Sequence, residues 1–133
     1  MNEPIYLNDW AESKFEGMCS DFIETVWFNY SENEQPKPHE RPEFQDIDVL
    51  FASYTYRDYE GDAFVLFRKD GKLFEVNGGH CSCYGLEGQW EPEETTIEAL
   101  EHRLKNDYFG KSYSRNTFGF ELTVLLQKLK EAA

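Results

Sequence analysis

Between Asp46 and Asn77 the chain spells three runs, "DIDVLFASYTY" (46–56), "DAFVLFRK" (62–69) and "KLFEVN" (72–77), rich in β-branched and aromatic residues that alternate in character. A period of two sends successive side chains to opposite sides of an extended backbone, so each run predicts a β-strand. Asp70-Gly71, between the last two, predicts a type I′ hairpin, because glycine accepts a positive φ without a Cβ clash. "RDYEG" (57–61) is also of hairpin length. A three-stranded antiparallel meander follows, with Tyr54 and Tyr56 on one face and Phe51, Ser53 and Thr55 on the other.

On either side of this meander the apolar spacing changes to that of a helix. Ala11, Phe15, Met18, Cys19, Phe22 and Val26 fall on one face of a helix running from Asn8, its expected cap, to about Trp27. Asp9, Glu12 and Glu16 share the opposite, solvent stripe. Residues 31–45, "SENEQPKPHERPEFQ", hold Pro36, Pro38 and Pro42 and read as a loop that also carries an exposed His39. After the meander, Thr95 and Glu98 form a capping box ahead of the stripe Ile97, Leu100 and Leu104. "NDYFGKSYSRN" (106–116) reads as a loop. A last helix runs from about Phe118 to Lys130, with Phe118, Leu122, Leu125, Leu126 and Leu129 on one side. The expected architecture is α+β, with the N-terminal helix and two C-terminal helices packed on one face of the meander. At 133 residues with 40% hydrophobic content, residues 1–133 have enough chain for one core and too little for two.

Charge narrows the function. The formal net charge is −13, and it is unevenly spread: residues 1–48 carry twelve acids against three bases, residues 49–101 eleven against four, and residues 102–133 three against six. Direct binding to DNA, RNA or an anionic membrane is disfavoured by like-charge repulsion, and a basic partner is favoured. No run approaches the roughly eighteen apolar residues of a membrane span, and no secretory leader is recognisable, which points to the cytoplasm. Cys19, Cys81 and Cys83 are odd in number and fit a reducing compartment.

Chemistry concentrates in "GGHCSCYGLEGQWEPEE" (78–94). A metal site there would draw on His80, Cys81 and Cys83, but a lone Cys-x-Cys pair lacks the second pair a structural zinc site uses, and in an extended segment His80 points away from both thiols. A cysteine nucleophile would need a base and a depressed pKa, and acidic surroundings push a thiol the other way. Paired carboxylates of a hydrolase need a fixed separation in a groove. The structural reading explains more residues: the glycines turn the chain, Tyr84, Leu86 and Trp90 anchor it, and the carboxylates stay outside. No cofactor is implied.

The segment "GKLFEVNGGHCSCYGLEGQWEPEETTIEALEHRL" (71–104) resembles a group of small acidic bacteriophage and prophage proteins of uncharacterised function, with the likeness extending over roughly residues 48–104. The resemblance implies a context in which small proteins act on host machinery. Joined to the charge pattern, it gives the leading expectation: an inhibitor that docks on a basic, nucleic-acid-binding host protein of restriction or CRISPR type. The residues expected to touch that partner are Asp9, Glu12 and Glu16, or Glu87, Glu91, Glu93, Glu94, Glu98 and Glu101, with Tyr84 and Trp90 as anchors. A small hydrolase or metal protein at His80, Cys81 and Cys83, and a phage assembly module that pairs into a homodimer, are the alternatives.

Overall fold

A computed structural model of the chain describes residues 3–23, 38–81, 85–107, 109–111 and 116–132. Its centre is a five-stranded mixed sheet in sequential order. The elements are β1 (Ile5–Asn8), α1 (Lys14–Phe22), two single-turn 3-10 helices (Pro38–Glu40 and Pro42–Phe44), β2 (Asp48–Arg57), β3 (Glu60–Lys69), β4 (Lys72–His80), β5 (Glu93–Thr95), α2 (Ile97–Asn106) and α3 (Gly119–Ala132). The expected meander is β2 to β4, antiparallel throughout, with Arg57 opposite Glu60 and Lys69 opposite Lys72 across its two turns. Asp70 and Gly71 take φ of 53° and 77°, as a type I′ turn requires.

Two strands escape the sequence pattern. Ile5 to Asn8 form β1, parallel to β2 at one edge, where a helix cap is expected at Asn8. Asn8 has φ 59°, which turns the chain out of the strand, and α1 begins only after Ser13, leaving Ala11 exposed. Val26 and Trp27 lie outside the described residues. At the other edge Glu93 to Thr95 form β5 against β4, so the cap of α2 moves one residue along: the Thr96 hydroxyl accepts the Ala99 N–H at 3.0 Å. Both strands are short and take their hydrogen bonds from a distant partner, which local periodicity does not encode.

The helices occupy both faces of the sheet, which corrects the one-face arrangement. Trp10, Met18, Cys19 and Phe22 of the α1 region pack with Val49, Ala52, Tyr54, Ala63, Val65, Phe67 and Val76. On the opposite face Leu100 of α2 and Leu122, Leu125, Leu126 and Leu129 of α3 cover Phe51, Phe64 and Leu66. β3 is apolar on both faces, so water must be excluded from both. A bulge between Val49 and Phe51 leaves Leu50 unpaired and turns it, with Phe51, toward α3.

Residues 38–45 are more ordered than a Pro-rich loop suggests. Phe44 is buried, edge-on to Trp90 at 4.8 Å between ring centroids. His39 is partly covered, and its Nε2 lies 3.9 Å from the Glu16 carboxylate, where an exposed residue is expected.

Candidate functional site

The α1 face carries the most unusual chemistry. The turn after β1 points Asp9 at the end of β2, where its carboxylate accepts the Tyr56 N–H at 2.9 Å and pairs with Arg57 at 2.9 Å. At the next residue, the buried Trp10 indole donates to Asp21 at 2.7 Å, bringing the far end of α1 back over the same corner. Glu87 enters from the connector after β4, which the Gln89 amide clamps: Gln89 donates to the Gly79 and Gly85 carbonyls and accepts the Gly79 N–H, at 2.8, 2.7 and 2.8 Å. Leu86 is buried beside it, and the Gly88 N–H bonds the Phe22 carbonyl at 3.4 Å.

The charges at this corner converge on Asp21. Asp21 is exposed as a residue, yet burial of its carboxyl raises its pKa. The Trp10 N–H and His80 oppose that rise, while the charges of Asp9 and Glu87 add to it. All three carboxylates act on the buried Tyr54 hydroxyl as well, whose pKa burial pushes up. Glu16 and Glu43 contribute to a second group around Cys19, so the acids of this face extend along α1.

His80 is the last residue of β4. Its ring lies tilted over Tyr56 with centroids 3.8 Å apart, and its buried Nδ1 has no hydrogen-bond partner among the described residues. Cys81 is exposed beside it, and Cys83 and Tyr84 lie outside the described residues. Among the described residues no group of three His, Cys, Asp or Glu side chains is placed to hold a metal ion. Cys19 is buried, and burial first, then the Glu16 and Glu43 charges, pushes its thiol up to about 12. Iodoacetamide at neutral pH is therefore expected to modify Cys81 readily and to leave Cys19 unmodified until the domain unfolds, as peptide mapping would show.

The remaining expected contact residues do not form one patch. Glu12 is exposed in the turn before α1, and Glu91 is exposed beyond Trp90. Glu93 and Glu94 belong to edge strand β5, with Glu94 3.8 Å from Lys72, and Glu98 and Glu101 lie on α2, with Glu101 bonded to Lys130 at 3.3 Å. Trp90 faces inward, stacked on Phe67 and edge-on to Phe22, and so holds the connector to the core. Asp21 has no signal in the sequence: its partners are eleven residues away or in other elements.

On the opposite face, a concavity of about 200 Å³ is lined by Phe64, Phe109, Phe118, Asp62, Asn77 and Asn116. The Asn116 side chain is engaged by Ser53, Thr55 and Asn8. No protein-family model, no curated protein and no solved structure matches the chain. What these data define is an α+β fold on a five-stranded mixed sheet; among the described residues no helix is long and apolar enough to cross a membrane.

Proposed function

We propose that the protein is an acidic inhibitor that docks on a basic, nucleic-acid-binding protein through its α1 face, its carboxylates occupying arginines and lysines that would otherwise hold phosphates. The observation that carries this reading is the corner where Asp9 caps the Tyr56 N–H, Asp21 takes the Trp10 indole and Glu87 bonds the Gly85 N–H; burial chiefly raises the Asp21 pKa, and the charges of Asp9 and Glu87 add to that rise. Like charges kept together are unfavourable in the free domain, and a cationic surface relieves that repulsion on binding. Glu16 and Glu43, whose charges both act on Cys19, extend the negative field along α1 and would speed encounter. The proposal includes a bacterial cytoplasmic setting and a target among host defence proteins of restriction or CRISPR type, the context that the resemblance expected from residues 71–104 would imply.

Capture from bacterial lysate on the immobilised domain tests this. A basic protein should be retained at about 0.05 M salt and released by about 0.5 M, where the Debye length falls to a few ångströms. The Asp21→Asn, Glu87→Gln double variant should retain markedly less of it while folding normally. Asparagine keeps an acceptor for Trp10, and the ionised Asp21 has a raised pKa in the folded state, so ionisation weighs against folding. That penalty is absent below the ordinary aspartate value of 3.8 and complete above the raised one, so Asp21→Asn should stabilise the domain at neutral pH and lose that advantage in acid. Undiminished, salt-resistant capture by the double variant would contradict the proposal.

A further inference from the structure

We propose that the tip of the β2–β3 hairpin, Asp58-Tyr59-Glu60, is an arginine-binding element of the docking surface, an inference that rests on the acidic docking reading above. The sheet contains two tight turns of the same kind. At the β3–β4 turn the left-handed residues are Asp70 and Gly71, the pair this geometry favours. At the β2–β3 turn they are Asp58 and Tyr59, with φ of 51° and 68°. Tyrosine has a Cβ that clashes in this region, so Tyr59 strains a turn that glycine would close freely. Nothing in the core repays that strain, because Tyr59 is 72% exposed. A strained backbone that presents a bare aromatic ring is what a contact element looks like before its partner arrives.

The stalk beneath the ring is rigid. Arg57 pairs with Glu60 and Tyr56 with Gly61, and a side chain at Gly61 would meet the Thr55 carbonyl oxygen at 2.5 Å, so the two strands approach closely there. Asp9 holds the base through the Tyr56 N–H and Arg57, which makes the hairpin continuous with the Asp9, Asp21 and Glu87 cluster. Asp58 and Glu60, the exposed neighbours of Tyr59 in the turn, add carboxylates on either side of it in the chain. A phenol face beside carboxylates suits a guanidinium better than an ammonium. The planar arginine group stacks on the ring and still offers its forked donors to an acid, whereas lysine is a strongly hydrated point charge.

Binding of fluorescent oligo-arginine and oligo-lysine peptides of equal length, at low salt, tests this. The wild-type domain should prefer the arginine peptide. Tyr59→Gly should weaken arginine-peptide binding by about two- to five-fold, leave lysine-peptide binding unchanged, and raise the melting temperature as the strain is released. Tyr59→Phe should keep the arginine preference. Equal binding of the arginine peptide by Tyr59→Gly and wild type, or equal losses for both peptides, would overturn the assignment. If only Asp21→Asn, Glu87→Gln weakens both peptides, the acidic docking surface stands without the hairpin; if the wild type binds neither peptide, both fall.

Discussion

Replacing Arg103 by alanine should destabilise the domain by about 3 kcal/mol, the low end for breaking a buried ion pair, because the guanidinium is partly exposed. Glu75 is 6% exposed on the sheet beneath α2, and Arg103 reaches down from that helix to its carboxylate. Burial alone would make this carboxyl hard to ionise. Hydrogen bonds from Arg103, Thr95 and Asn77, with the guanidinium charge, outweigh burial and hold its pKa below the ordinary value of 4.5. The same guanidinium lies 4.1 Å from the Phe109 ring centroid, so truncation also removes a cation–π contact. In the wild type the pair's contribution is present above pH 4.5 and lost as pH falls through the lowered folded value. Urea denaturation should therefore show a deficit in Arg103→Ala that is largest at neutral pH and shrinks in acid. Adding Glu75→Gln to that variant should recover part of the loss. Equal stability of Arg103→Ala and wild type at neutral pH would contradict this account.

The second large effect is expected at Asn116, which is 1% exposed and joins the segment before α3 to the sheet. Its Oδ1 accepts from the Ser53 hydroxyl at 2.6 Å, the Asn8 amide at 3.2 Å and the Thr55 hydroxyl at 3.3 Å, while its Nδ2 donates to the Ser53 carbonyl at 3.0 Å. One amide thus answers the polar side chains that β2 turns toward α3, where Phe51 is the apolar neighbour. Asn116→Ala should lower stability by about 2 kcal/mol, because the buried Ser53 and Thr55 hydroxyls lose their shared acceptor. Adding Ser53→Ala should lower stability by less than the sum of the single losses, since the two residues share the bond being removed. A loss below about 0.5 kcal/mol would show that solvent reaches the network.

The central strands were legible because their signals are local. Alternation, Asp70-Gly71 and the sorting of Tyr54 and Tyr56 from Phe51, Ser53 and Thr55 all follow from residues within a few positions of one another. The run from Ala63 to Phe67 held a further clue: with no polar residue on either face, β3 has to be covered on both sides, which is why α1 lies opposite α2 and α3. β1 and β5 were not legible, since strands of four and three residues owe their conformation to β2 and β4. The proposed docking site was half legible. Asp9, Glu12, Glu16 and Glu87 stand out as acids in the sequence, but Asp21 joins them only because Trp10 folds over α1, and His80 meets Tyr56 only across the sheet. Glu94 and Glu101 look equivalent to them in the sequence; the structure sets them apart on β5 and α2, where they meet Lys72 and Lys130, while Asp9 has Arg57 as its own cationic partner.

The most direct measurement is a carbon-detected NMR titration of the Asp21 carboxyl, alone and with saturating oligo-arginine peptide. In the free domain Asp21 should titrate above the ordinary aspartate value of 3.8, and the bound peptide should bring its pKa down as cations displace the repulsion from Asp9 and Glu87. An ordinary pKa in the free domain, or a raised one that the peptide leaves unmoved, would contradict the claim that these carboxylates are gathered to meet positive charge.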